Sequence, residues 1–313
     1  MDELKKYKIG VLAGGSSSER EISLKSGQAV HGALRGLGMN TVFLDVTEDN
    51  FSSRVDEAGI DVAFIALHGK FGEDGTVQRM LAEKGIIYTG SGPEASHLAL
   101  DKVASKMKFI EKGLPVPEYK VIKSRHELRL DDILVPCVVK PRYEGSSIGL
   151  SVVLCRDELG KAADKALRYG EDIIIERFIE GREITVGIMD DRALPVVEII
   201  PAGIHYDFDS KYQSAETRYI TPAEIGEEYS RKAQKIAIDA YNALGCEEFS
   251  RVDMRLSPGG DIFVLEVNTI PGLTERSLLP MAAKAAGMDF PELCAEILRG
   301  AVRGRRKKEK GRG

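Results

Sequence analysis

Residues 249–272 read FSRVDMRLSPGGDIFVLEVNTIPG, two runs of alternating apolar residues on either side of Gly259 and Gly260. A Gly-Gly pair supplies the positive φ values of a tight hairpin, so the runs read as antiparallel strands turning on it. With the turn centred there, Asp253 stands opposite Glu266 and Arg251 opposite Asn268, and the period of two puts all four side chains on one face. Two carboxylates facing each other across a strand pair repel. Either their pKa values rise or a cation lies between them, and oxygens from Asp, Glu and Asn suit a hard ion such as Mg²⁺. On local pattern alone, a solvated acidic hairpin on a half-buried sheet stays open as the other reading.

Upstream, PCVVKPRYEGSSIGLSVV ends an apolar strand at Lys140 and follows it with Gly145, Ser146, Ser147 and Gly149. Backbone N–H groups and hydroxyls of such a loop can cradle phosphate oxygens beside a lysine point charge, although a plain surface turn would read the same. Neither this loop nor AGGSSSERE near the start matches GxxxxGK[ST] or GxGxxG, so no P-loop or dinucleotide fingerprint is present. In IIIERFIEGREITVGI, Glu176 ends one strand and Glu183 opens the next. These carboxylates can accept from ribose hydroxyls or be ordinary strand-end charges.

Farther out, residues 8–93 alternate strand and helix: KIGVLAGG, EISLKSGQAVHGALRGLG, NTVFLDV and VAFIALHG. This is a parallel α/β unit, and its loops AGGSSSERE and HGKFGEDG lie at the carboxyl ends of strands, facing one cleft. A second, α+β unit opens with a helix over 101–112, passes Pro115 and Pro117, and continues as strands YKVIK, CVVKP, LSVVL and DIIIERF with a helix between the last two. A third runs from EITVGIMD through PVVEIIP, the polar stretch IHYDFDSKYQSAETRYI, a helix over 227–244, the hairpin and final helices.

The 313 residues, 43% hydrophobic and 30% charged, suit two or three compact units. No apolar run approaches the roughly 20 residues of a membrane span, and MDELKKYKIGVLAGG passes straight into a strand, without a secretory signal. Cys137, Cys155, Cys246 and Cys294 are widely spaced and read as reduced, cytosolic core residues. A net charge of -5 offers nucleic acid no general attraction. The tail RGAVRGRRKKEKGRG, 299–313, lacks apolar periodicity and reads as a disordered, solvated end rather than a nucleic-acid or membrane patch; deletion after about 298 would leave activity intact on that reading.

Nine ordered motifs, LAGGSSSEREISLKSG, ALHGKFGEDGTVQ, YTGSG, LDKVASK, VVKPRYEGSSIGLS, IIERFIEGREITV, YDFDSKY, SRVDMRL and LEVNTIPGLTERSLLP, resemble the ATP-grasp superfamily and, within it, the D-alanine:D-alanine ligase family. The likeness covers nearly the whole chain short of the tail. It implies an N-terminal α/β substrate-binding domain, 1–95, followed by a two-part ATP-grasp fold, 96–180 and 181–298, that holds ATP between antiparallel sheets. It departs at Ile270, where serine is frequent, and at Tyr143, where relatives vary; neither position has a named role.

Carried over residue by residue, the resemblance puts Lys102 and Lys140 on the nucleotide phosphates, with Lys211 also on the nucleotide side. Glu176, the backbone of Phe178 and Ile179, and Glu183 hold adenine and ribose. Asp253, Glu266 and Asn268 ligate two Mg²⁺ ions, for which Mn²⁺ can substitute. The carboxylate of one D-alanine attacks the γ-phosphate, and the amine of a second attacks the resulting acyl phosphate. Glu19 binds the first ammonium, although a helix-start glutamate favoured by the dipole would look alike. Arg251 and the backbone of Gly272 face the oxyanion. Ser277 and Leu278 hold the second carboxylate, with N-capping as the other reading of Ser277. Ser146 and Tyr212 join Glu19 in a hydrogen-bonded set, Tyr212 on a stretch long enough to be a lid.

His68, with Glu73 and Asp74, borders the second subsite, though a histidine ending a strand is ordinarily structural. The resemblance further implies a cytoplasmic homodimer that makes a peptidoglycan precursor, without membrane or nucleic-acid partners. Lys211-Tyr212 favours D-alanine over D-lactate. A D-serine ligase and an inactive nucleotide-binding module are the competing readings; the second predicts losses among Arg251, Asp253, Glu266 and Asn268, all of which are present.

Overall fold

Three sheets organise the described residues. A computed structural model describes residues 2–201 and 217–310, with side chains as far as Gly304; Lys211 and Tyr212 lie outside the described residues. The first sheet is parallel, in the order β2-β1-β3-β4, from β1 (Ile9–Gly14), β2 (Thr41–Val46), β3 (Val62–Ile65) and β4 (Ile87–Tyr88). The central β1 and β3 are buried at every residue, as unbroken apolar strands covered on both faces must be. Helices α1 (Arg20–Gly36), α2 (Phe51–Ala58) and α3 (Thr76–Glu83) connect them. On α1 the buried positions Ser23, Ser26, Gly27, Val30 and Leu34 recur at helical spacing. Gly27 permits the close packing, since a β-carbon there would lie 2.5 Å from the Ala13 Cβ.

Helices α4 (Pro93–Leu100) and α5 (Lys102–Glu111) lead out of this unit. Asp101 ends one and caps the other, its carboxylate accepting from the N–H groups of Val103 at 3.0 Å and Ala104 at 3.1 Å. The second sheet is antiparallel, β5-β8-β6-β7, from β5 (Tyr119–Ile122), β6 (Cys137–Pro141), β7 (Ser151–Val153) and β8 (Ile173–Arg177), with α6 (Leu159–Ala166) packed on it. The third runs β12-β11-β9-β13-β14, from β9 (Arg182–Met189), β10 (Arg192–Ala193) paired to β9, β11 (Val197–Ile200), β12 (Arg218–Ile220), β13 (Phe249–Leu256) and β14 (Ile262–Asn268). Helix α7 (Glu227–Ala243) covers one face; α8 (Leu278–Ala285) and α9 (Phe290–Lys310) close the chain. Parallel α/β followed by two antiparallel α+β sheets is the expected fold class. Among the described residues no helix is long and apolar enough to cross a membrane.

The hairpin is built differently from its sequence reading, yet arrives at the same face. Leu256 pairs with Ile262, so the turn is the five-residue segment 257–261, in which Gly260 alone of the glycine pair takes a positive φ, +85°. A bulge between Asp253 and Met254 then inserts Leu265 as an extra residue on β14. The two one-residue offsets cancel, and Asp253 stands opposite Glu266 and Arg251 opposite Asn268, as the simpler hairpin required.

Two expectations are corrected. Cys155 is exposed, while Cys137, Cys246 and Cys294 are buried and all four are free thiols. The tail does not leave the fold at Arg299: α9 continues to Lys310, Ala301 and Val302 are buried, and Val302 joins Val30, Leu34, Leu279 and Leu298 in one core. Composition hid this because two small apolar residues are enough where α1 already offers an apolar face. Truncation after Leu298 is therefore expected to cost about 2–3 kcal/mol, the burial of one valine and part of an alanine, with a lowered Tm by calorimetry. Truncation after Gly304 is expected to be silent; equal Tm values for both would restore the disordered tail.

Candidate active site

The second and third sheets enclose a cleft of about 870 Å³, counting its open mouth. Ligand pockets span roughly 300–1,000 Å³, so a nucleotide fits by size. Its walls carry Lys102, Lys140, Glu144, Glu176, Phe178, Ile179, Glu183, Asp253, Arg255 and Glu266.

On one side, β8 delivers Glu176 between two buried lysines. Lys106 Nζ lies 3.0 Å and Lys140 Nζ 2.9 Å from the same carboxylate oxygen, Oε1. Burial opposes the ionisation of Glu176, but Lys106 and then Lys140 outweigh it and hold the carboxyl below its usual range. Lys102, at the start of α5, donates to the Glu144 carbonyl and approaches Glu266 Oε2 to 3.8 Å. Burial lowers the pKa of Lys102. The loop after Lys140 bends through Ser146 and Ser147, both at positive φ, +47° and +57°.

The Phe178–Glu183 connection is held by Arg255, which donates to the carbonyls of Ile179 at 3.1 Å and Gly181 at 3.2 Å, pairs with Glu183 at 3.1 Å and stacks 5.4 Å over Phe178. Sequence reading passed over both Lys106 and Arg255. Each had a signal: Arg255 continues the alternation Arg251, Asp253 along β13, and Lys106 follows Lys102 by one helical turn.

At the hairpin, four bonds converge on Asp253. Its Oδ1 accepts from Thr185 Oγ1 at 2.6 Å and Arg251 Nε at 2.8 Å; its Oδ2 accepts from Arg251 Nη2 at 2.7 Å and Asn268 Nδ2 at 3.0 Å. The opposed carboxylates thus meet a solution beyond the two anticipated: an arginine two residues away on the same strand neutralises one of them. Among the described residues no three His, Cys, Asp or Glu stand together as an ion site, so Asn268 is needed as third donor beside Asp253 and Glu266. By donor type the three fit a hard divalent cation. An ionised carboxylate has about four lone-pair sites, all engaged on Asp253, so an ion held there would displace one of its donors, and the Arg251 fork occupies two of the four sites.

The far side belongs to the first sheet. Glu19 is the N-cap residue of α1, but its side chain makes no capping bond; its buried carboxylate accepts from the Ser146 hydroxyl instead. Ser17 Oγ donates to the His68 carbonyl at 2.8 Å, so the two loops do share a cleft. His68 Nε2 lies 3.1 Å from Ser26 Oγ, and burial, with the Arg251 charge adding to it, pushes its pKa down to about 4. Such a histidine is neutral at ordinary pH. Asp74 accepts from the Phe71 N–H at 2.9 Å. Ser277 occupies the N-cap position of α8 without capping it, its hydroxyl lying 2.9 Å from Thr274 Oγ1 and accepting from the Thr274 N–H at 3.1 Å. A β-carbon on Gly272 would lie 3.1 Å from Ser277 Oγ, and Leu278 beside them is buried.

Glu73 accepts from the Gly69 N–H at 2.7 Å, and burial, then the Glu19 charge, raises its pKa from 4.5 to about 8. The raised folded value means that the native state binds the proton more tightly than the unfolded chain. Its stabilising contribution is complete below pH 4.5 and is lost as pH rises to about 8. Glu73→Gln is expected to flatten that decline, so that Tm, followed from pH 5 to above pH 8, falls less in the variant. Parallel Tm profiles would remove Glu73 as the cause.

The family model "D-ala D-ala ligase C-terminus" matches residues 109–299, and "D-ala D-ala ligase N-terminus" matches residues 48–91. The chain is 48% identical over 301 residues to the D-alanine–D-alanine ligase of Citrifermentans bemidjiense, covering 96% of this chain and 98% of that one. Of solved structures, the D-alanine–D-alanine ligase from Bacillus anthracis complexed with ATP superposes with a TM-score of 0.83 at 33% identity, over 96% of this chain and 99% of that one. The VanG D-Ala:D-Ser ligase from Enterococcus faecalis gives 0.79 at 28% identity, over 93% and 98%. With two sheets facing across a lysine-lined cleft, a carboxylate pair on the β13–β14 hairpin and full-length relatives at this identity, the chain belongs to the D-alanine–D-alanine ligase family.

Proposed function

We propose that the protein joins two D-alanines into D-alanyl-D-alanine at the expense of ATP, releasing ADP and phosphate, as a step in making peptidoglycan precursors. The observation that carries this reading is one cleft lined by two lysines and the hairpin carboxylate pair; Arg251 pairs with the cleft-lining Asp253, and the buried Glu19 accepts from Ser146 of the glycine-rich loop beside it. Lys102 and Lys140 bind phosphate oxygens, while Glu176, Glu183 and the Phe178–Ile179 backbone hold adenosine. Asp253, Glu266 and Asn268 would hold two Mg²⁺ ions, which supply charge neutralisation at the transferring phosphate.

Glu19 takes the ammonium of the first D-alanine and Ser146 fixes the Glu19 carboxylate. That orients the D-alanine carboxylate toward the γ-phosphate. Its oxygen forms the new P–O bond as ADP leaves. The second D-alanine, held through Ser277 and Leu278, attacks the acyl carbonyl with its amine, and phosphate leaves. Arg251 and the Gly272 backbone stabilise the oxyanion of that tetrahedral state. His68 borders the second subsite as a neutral group. Lys211 and Tyr212 complete the reading as nucleotide and closure residues, and closure keeps water from the acyl phosphate. Family likeness extends it to a cytoplasmic homodimer through the 1–95 unit, with ATP-grasp units at 96–180 and 181–298.

The test is phosphate release with ATP and Mg²⁺ across D-alanine, D-serine and D-lactate, with mass detection of product. D-alanyl-D-alanine is the expected product. Preferential D-alanyl-D-serine would move the second substrate, and no release above background would end the ligase reading.

A further inference from the structure

Glu176 has more positive charge than it needs. Both ammonium groups reach one carboxylate oxygen, at 3.0 Å for Lys106 and 2.9 Å for Lys140, and all three side chains are buried. One carboxylate compensates one lysine, so the trio carries a net positive charge, which is costly away from water unless an anion joins it. The two lysines differ in what they can reach. Lys140 lies on the cleft wall. The Lys106 side chain is 0% exposed and stands behind Glu176, its Nζ 3.5 Å from the Leu265 carbonyl at the β14 bulge and 5.9 Å over the Tyr119 ring.

We propose that Lys106 is a positioning residue for the nucleotide: it is the counter-ion that stays with Glu176 when Lys140 turns to the polyphosphate. The inference rests on the nucleotide-binding reading of the cleft and adds to it why two lysines share one carboxylate. Without Lys106, Lys140 would be the sole partner of a buried carboxylate, and moving it to the ligand would orphan that charge. Lys106 makes the transfer of Lys140 cheap. It also fixes the α5 turn that carries Lys102, one helical turn earlier, against β8.

The test is equilibrium binding of ATP and of adenosine, by calorimetry, to the full chain and its variants. Lys106→Met is expected to weaken ATP about tenfold or more, the loss of one charged interaction, while adenosine changes by no more than about twofold. Adding Glu176→Gln, which removes the carboxylate that detains Lys140, is expected to return the ATP affinity to within about twofold of Glu176→Gln alone. A role confined to fixing the α5 turn, which Lys106→Met breaks with or without the carboxylate, does not produce that rescue in a single variant that folds with wild-type Tm. Equal losses for ATP and adenosine, an unchanged ATP affinity, or losses that add in the double variant would each overturn the proposal. Should Lys106→Met not fold, the double variant carries the test, since it leaves no unpaired carboxylate; binding ATP tenfold worse than Glu176→Gln would then sink the role. A wild-type protein that binds no ATP marks failure of the nucleotide reading itself.

Discussion

Replacing Arg251 by methionine is expected to lower kcat roughly a hundred- to a thousandfold, the cost of removing one charged donor aimed at an oxyanion. In the structure Arg251 is committed elsewhere: its fork spans both oxygens of Asp253, at 2.8 Å and 2.7 Å. That pairing keeps two cross-strand carboxylates stable side by side before any ligand arrives. On the proposed reading, a divalent ion held by Asp253 would compete with this fork and turn the guanidinium toward the cleft. Arg251→Met therefore acts twice. It removes the donor proposed for the oxyanion, and it leaves Asp253 with Thr185 and Asn268 as its hydrogen-bond donors. The expected signature is a fall in kcat with little change in KM for ATP, and ATP consumption that exceeds dipeptide formation. Initial rates of phosphate release against dipeptide mass measure both; a wild-type kcat would take Arg251 out of the reaction.

The second large effect is structural. Gly181 adopts φ +115°, and a β-carbon there would lie 2.1 Å from the Leu256 carbonyl oxygen. That atom is backbone in β13 and cannot step aside. Gly181→Ala is expected to destabilise the fold by roughly 2–5 kcal/mol, combining a strained backbone with overpacking. The same substitution displaces the Ile179 and Gly181 carbonyls from Arg255, so the KM for ATP should rise as well. Urea denaturation together with KM measurements reads both consequences, and an unchanged midpoint would show that the loop relaxes without cost.

Local rules made the hairpin face legible. Alternation along residues 249–256 and 262–268 puts Arg251, Asp253, Glu266 and Asn268 together because a strand's period of two is set by its own backbone. The route to that face differs from the simple hairpin: the turn is five residues long and the bulge at Leu265 repairs the register. Both offsets depend on what packs against β14, where Pro115 accepts from the Val264 N–H at 2.9 Å. The alternation of strand and helix in the first unit was equally local, and so was the capping of α5 by Asp101.

What the sequence by itself determined, then, is which residue types recur at which period: the parallel unit, the strands and helices of the two later units, and the acidic hairpin with its arginine. The tertiary structure decided who neutralises whom. Glu176 and Lys106 are 70 positions apart, and no pattern could announce that the lysine stands behind the carboxylate and Lys140 before it. Likewise the basic end continues as helix because α1, far back in the chain, supplies the apolar face for Val302. Periodicity is a property of the backbone and is written locally. Desolvation and charge compensation depend on the neighbours that folding brings from a distance, and only the assembled structure fixes them.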